Sequence, residues 1–196
     1  MTHRQYKAEK CPVCRLFRSI CICGDIVKFD LKTRITLLTH IKEVSKSTNT
    51  GKIAHLMLSN CVMPVLGLMD RPLERSDILF DEYENIVLFP YASNVLDKDF
   101  ISKLTKPVNL IVPDGNYNQA VKMTKSHLLD GVRRVKLPSG QKSSYELRSM
   151  KDTEKISTIE AVIYAVEIIE SPEAASEMRR VFLNMVKDFK TKIGML

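Results

Sequence analysis

The feature that most constrains this chain is a set of short, largely apolar runs separated by longer stretches of helical period. Ile35–Leu38 leads into Thr39-His40, Ile86–Phe89 stops at Pro90, Val108–Val112 stops at Pro113-Asp114-Gly115, and Val132–Leu137 stops at Pro138-Ser139-Gly140. The first three are mainly apolar rather than alternating, so each reads as a strand covered on both faces; Val132–Leu137, which carries Arg133, Arg134 and Lys136, reads as a strand as well. Between them the spacing predicts helices: from Gly51 to about Asn60, with Ile53, Leu56 and Met57 on one face and His55 off it; over Asp97–Leu104; over Asn116–Leu129, through Ala120, Met123 and His127; over Ser157–Glu170; and over Glu173–Ile193, with Met178, Phe182, Met185 and Phe189 as a stripe. Ile41–Asn49 reads as a polar loop, and Val62–Leu68 as a strand that Pro64 demotes to an edge. Strands alternating with helices specify an α/β fold, a mostly parallel sheet with helices on both faces. Ligands of such sheets sit beyond the carboxyl ends of the strands. Neither G-x-G-x-x-G nor a phosphate-binding lysine loop occurs, so a nucleotide would have to be held another way.

The first 33 residues are different: short of period, basic, and rich in cysteine. Cys11-Pro12-Val13-Cys14 and Cys21-Ile22-Cys23 hold four of the five cysteines. Two close thiolate pairs can complete a tetrahedral shell of four sulfurs around zinc, a closed and therefore structural site. A redox pair, or four unrelated thiols, are the alternatives, and the spacing favours metal. Gly24 is expected to give the backbone a tight turn beside the ligands. Residues 1–33 thus read as a zinc knuckle and residues 34–196 as a single α/β domain. Cys61, within an apolar stretch, reads as a buried thiol.

A chain of 196 residues with 44% hydrophobic content supports one such core plus a small appendage. No apolar run is long enough to span a bilayer, and the N-terminus has no apolar stretch behind its charges. The expectation is a cytoplasmic protein with no membrane partner; a monomer is favoured, although the sequence does not fix the oligomeric state. The net charge of +7 is unevenly spread. Residues 1–34 hold eight Lys/Arg against three Asp/Glu, and residues 122–155 nine against four, whereas residues 70–99 hold three against eight. Two basic blocks suit a polyanion such as RNA, and equally a basic surface without a partner.

Two polar segments follow strand ends. In Leu38–Glu43 and Lys46–Gly51, a strand end and a glycine at a helix start could cradle an anion, or Thr50 and Asn49 could be ordinary caps. In Pro113–Ala120, Asp114 could be a general base with the Tyr117 ring as a stacking surface, or it could cap the next helix. Ser157 and Glu160 have the spacing of a capping box, which competes with a ligand-binding role.

The order of these segments resembles the DTW-domain family, the tRNA-uridine aminocarboxypropyltransferases. The resemblance runs from Cys11 to about Val166. It rests on Cys11–Gly24, His40 with Glu43 and Lys46–Gly51, Val87–Pro90, Pro113–Ala120, Leu137-Pro138, Tyr145–Arg148 and Ser157–Glu160. The signature departs from the usual Asp-Gly-Thr-Trp, reading Asp114-Gly115-Asn116-Tyr117: the ring is kept at Tyr117, and Asn116 changes the polar group. The resemblance implies a knotted, SPOUT-like methyltransferase fold and S-adenosylmethionine as the donor of a 3-amino-3-carboxypropyl group to ring nitrogen 3 of a uridine. It assigns the donor to Leu88, Phe89, Pro90, Pro113, Asp114, Gly115, Leu137, Pro138, Ser157, Thr158 and Glu160. It assigns tRNA to His40, Lys46, Asn49, Thr50, Tyr117, Arg133, Arg134 and Arg148. Asp114 is the expected proton acceptor. A plain RNA methyltransferase and a non-catalytic zinc-containing RNA-binding module are the rival readings.

The charge pattern yields the first prediction. Affinity for tRNA should fall steeply as salt rises, and reversing the charges of Arg133, Arg134 and Lys136 should weaken it while S-adenosylmethionine affinity holds. Filter binding across a salt series reads this, and a salt-independent affinity would refute an electrostatic footprint.

Overall fold

The computed structural model describes residues 9–47, 49–141, 143 and 156–193, the side chains of 192 and 193 left aside. Seven strands form one parallel sheet: β1 (Arg34–His40), β2 (Cys61–Val62), β3 (Val65–Leu66), β4 (Glu84–Leu88), β5 (Asn94–Val95), β6 (Val108–Asp114) and β7 (Arg133–Lys136). The order across the sheet is β2-β1-β6-β4-β7-β5, with β3 also paired to β1. The helices are α1 (Ile41–Val44), α2 (Gly51–Met57), α3 (Lys98–Ser102), α4 (Tyr117–Thr124), α5 (Thr158–Ile169) and α6 (Pro172–Ile193). The α/β class read from the apolar runs is the one observed.

Alternate residues of the central strands serve two separate cores, which is why the strands read as unbroken apolar runs. Ile35, Leu37, Leu110, Val112, Ile86 and Leu88 face one way, onto α2, α5 and α6. Leu38, Ile111 and Val87 face the other, onto Met123 of α4 and the 3₁₀ turn His127–Leu129. The N-terminal segment joins the first core through Cys11, Cys14, Leu16, Ile20 and Ile22.

Local hydrogen bonding explains where elements depart from the periodicity. The predicted loop at Ile41–Asn49 begins with a helical turn, because the His40 imidazole caps α1 by accepting from the Lys42 amide. Helix α2 ends at Met57 rather than Asn60. There the chain is captured by Phe29, whose N–H donates to the Met57 carbonyl and whose carbonyl accepts from Ser59. Val62–Leu68 splits around Pro64 into two edge pieces, and the Pro64 carbonyl still accepts from the Thr39 amide. The long helix read over Asn116–Leu129 stops at Thr124, whose hydroxyl turns back to the Val121 carbonyl, and Ser126 caps a new turn. Cys61 is buried, as its apolar neighbours suggest, and burial pushes its thiol up to about 12.

One polar cluster lies inside the second core. Asn109 is wholly buried; its carbonyl accepts from Thr36 of β1 at 2.7 Å, and its amide donates to the Ile78 carbonyl and to Asn85 of β4. It cross-links three strands and the loop above them. Asn109→Leu keeps the volume but leaves the Thr36 hydroxyl and the Ile78 carbonyl unpaired, so urea denaturation should show a loss of about 2–4 kcal/mol.

Candidate functional site

Strands β1 and β6 are neighbours whose outgoing connections diverge. The chain leaving β1 crosses one face through α2 to the outer strand β2, and the chain leaving β6 crosses the other face through α4 to β7. The carboxyl ends of these two strands therefore border a topological switch point, the place where open α/β sheets form their ligand crevices. Asp114, the last residue of β6, stands there opposite Thr39 of β1.

The Asp114 carboxyl group is 3% exposed and enclosed by donors from three segments. Its Oδ2 accepts from the Asn49 amide at 2.6 Å and from the Thr39 hydroxyl at 3.4 Å, and its Oδ1 accepts from the Thr158 hydroxyl at 2.8 Å. Burial pushes its pKa above the usual carboxylate range. The Asn49 and Thr158 hydrogen bonds oppose that shift, and nearby Glu43 adds to it. Gly51 is what allows α2 to start against this carboxylate: a Cβ there would lie 3.2 Å from Oδ2 and 3.3 Å from Leu37.

Asp114 does not cap the helix that follows. Asn116 does, accepting from the Gln119 amide while the Gln119 side chain accepts from the Asn116 N–H. A second capping box opens α5: Ser157 and Glu160 cap each other, and Glu160 also accepts from Ser143. Both carboxyl oxygens of Glu160 are thereby engaged locally. Thr158, between them in sequence, is the residue of this group that reaches Asp114. Asn49 and Thr50 turn inward, Thr50 accepting from the Ile159 amide at 3.4 Å, and Lys46 is paired with Glu43 at 2.7 Å.

The other strand tips lie along the same edge of the sheet. Leu88 is in the core, and Phe89, Pro90, Leu137 and Pro138 follow the ends of β4 and β7. Phe89 starts a ladder of edge-to-face rings: Phe89 to Tyr91 at 5.7 Å and Tyr91 to Tyr117 at 6.3 Å, with the two phenol oxygens 2.7 Å apart. Sequence reasoning missed Tyr91, although an aromatic directly after a strand-ending proline was the available signal. It also missed Thr39 as a partner of Asp114, because strand register cannot be read from either strand alone. His40 faces the α4 side and lines a cavity of about 360 Å³ with Lys42, Gln119 and Lys122 among others. Arg133 and Arg134 sit at the start of β7. Arg133 lies over the Phe100 ring, and Arg134 donates to the Thr124 carbonyl at the end of α4. Tyr145–Arg148 lie outside the described residues.

The four N-terminal cysteines converge. Their sulfurs all lie within 4.8 Å of one another, with Cys11 to Cys23 at 3.6 Å and Cys14 to Cys21 at 3.7 Å. Tetrahedral zinc with bonds of about 2.3 Å sets sulfurs about 3.8 Å apart, so the cluster could hold a zinc ion. The backbone amides of Cys14 and Val13 draw the Cys11 thiol down to about 6, whereas burial pushes Cys23 up to about 12. Four crowded sulfurs need a cation before all can be thiolates. Gly24 lies in a 3₁₀ turn, Cys23–Asp25, beside the ligand Cys23 as expected, but its φ is not positive and a Cβ there would touch nothing, so the turn does not require glycine. A second tight turn falls at Arg15, with φ of 64° and its N–H on the Cys11 carbonyl.

The family model for the DTW domain matches residues 8–190. No solved structure matches the chain.

The cysteine geometry predicts about one zinc per chain, measured by elemental analysis of protein purified without a metal-affinity tag. Cys14→Ser should lower the zinc content and the melting temperature together. Metal-free protein that is fully folded would refute this.

Proposed function

The chain belongs to the DTW-domain family, and on that premise we propose that it transfers the 3-amino-3-carboxypropyl group of S-adenosylmethionine to ring nitrogen 3 of a uridine in tRNA. The observation that carries the reading is the Asp114 carboxyl group at the β1/β6 crevice, buried and raised in pKa among three oriented donors. The nitrogen–carbon bond forms as the carbon–sulfur bond breaks. The sulfonium becomes the neutral thioether of 5′-methylthioadenosine, and the imide proton goes to Asp114. A carboxylate of ordinary pKa is a weak base for that proton, and desolvation brings it closer to a useful range.

Of the two carboxyl oxygens, Oδ1 is the one to exchange a partner on substrate binding. Its donor, Thr158, is half-buried, and a hydroxyl can rotate away, whereas Oδ2 is fixed by the buried Asn49. Leu88–Pro90, Leu137 and Pro138 form the apolar strand tips against which the donor's adenosine would lie. Tyr117, backed by Tyr91, offers the acceptor base an edge of the ring ladder. Zinc at Cys11, Cys14, Cys21 and Cys23 would have four protein ligands and no open position, so it would brace the fold rather than enter the chemistry. The threaded crossover of the knotted methyltransferases belongs to this same proposal.

Asp114→Asn separates catalysis from architecture. The asparagine carbonyl can accept from Asn49 while its amide turns to the Thr158 hydroxyl, which can accept, so no buried group is stranded. Folding should hold, and single-turnover transfer with radiolabelled donor should fall about 10²- to 10⁴-fold. An Asn variant as fast as wild type would remove Asp114 from the mechanism. The acid limb of kcat/KM should lie above the ordinary carboxylate range, since the base must be ionised and its pKa is raised. Release of S-adenosylhomocysteine instead of 5′-methylthioadenosine would make the enzyme a methyltransferase.

A further inference from the structure

The cavity on the α4 face has a one-sided chemistry. Its lining includes His40, Lys42, Asn116, Asn118, Gln119 and Lys122, and no carboxylate. The capping box has already used the acceptor atoms nearest it: the Asn116 side-chain oxygen takes the Gln119 N–H at 3.0 Å, and the Gln119 side-chain oxygen takes the Asn116 N–H at 2.7 Å. The Asn116 side chain is left with its NH₂ group to offer, and the Gln119 side chain with one hydrogen of its NH₂ group beside the contact to His40 Nδ1. The His40 Nδ1 accepts from the Lys42 amide at 3.1 Å, with the Gln119 amide nitrogen 3.3 Å away, which leaves the ring hydrogen on Nε2. Among the described residues neither Lys42 nor Lys122 has an ion pair. The lining therefore offers donors and positive charge, with Leu66 and Met123 as apolar wall. Its fitting ligand is a group with acceptors only and negative charge.

We propose that this cavity binds a phosphodiester of the acceptor RNA, next to the nucleotide whose base is presented at the strand tips. The placement supports this: His40 adjoins Thr39, the register partner of Asp114, and Asn116 lies two residues beyond Asp114. Cavity and carboxylate occupy opposite faces of the sheet at one crevice, so a single strand crossing the tips reaches both. The inference rests on the RNA-acceptor reading above.

The test uses the full-length protein and the double variant Lys42→Ala/Lys122→Ala, both exposed positions. Relative to wild type, tRNA affinity should fall roughly ten-fold at moderate salt, and the slope of log affinity against log salt should fall by about 1, while S-adenosylmethionine affinity is unchanged. NMR of the His40 ring supplies a second measurement. Uridine 5′-monophosphate and inorganic phosphate should shift its resonances and uridine should not, and the double variant should lose the shift. Unchanged tRNA affinity and salt slope in the double variant would overturn the proposal. Phosphate probes that move His40 in a wild-type protein unable to bind tRNA would overturn the RNA reading, leaving a site for free anions.

Discussion

The hydrogen bonds that converge on Asp114 tie together segments far apart in the sequence. Asn49 comes from the loop before α2, Thr39 from the end of β1, and Thr158 from the first turn of α5. A carboxyl group this deeply buried is costly to ionise unless donors surround it. The donors in turn fix the start of α2, where Gly51 gives the room, and the start of α5, where Thr50 receives the Ile159 amide. Burial makes the group basic while its donors make it a cross-brace, and Asp114→Ala would leave the buried Asn49 amide without its acceptor.

The cysteine segment depends on the sheet and supports it. Leu16, Ile20 and Ile22 enter the core shared by α5 and α6, and Arg180 of α6 reaches the Asp25 carbonyl. Lys32 and Thr33, leading into β1, donate their amides to Glu170 after α5. Ordering of the cysteines is thus tied to packing on one face of the sheet, rather than confined to the residues around the sulfurs.

Much of this was legible in the sequence because the relevant signals are local. Unbroken apolar runs gave the parallel sheet, the cysteine spacing gave the cluster, and Ser157 with Glu160 announced a capping box that is indeed present. What was not legible depends on register and on competition among polar side chains. Nothing near Asp114 in sequence says that Thr39 stands opposite it, or that Asn116 and not Asp114 caps α4. Lys46, assigned to tRNA, is paired with Glu43, and the positive-φ turn beside the cysteines falls at Arg15, a position that sequence spacing does not single out.

The order of strands across the sheet sets the order in which the protein can be finished. β1 is made early, but its partner on the inner side is β6, whose register pairs Arg34 with Asn109 and Thr39 with Asp114. A nascent chain that has emerged only through β4 can pair β1 with β2 and β3, but β1 and β4 each present an open edge to the strand that lies between them and is not yet made. Contacts of such long sequence separation close slowly, and open strand edges invite pairing with other chains in the interval. Truncations ending before Val108 should be recovered as aggregates rather than as smaller folded units.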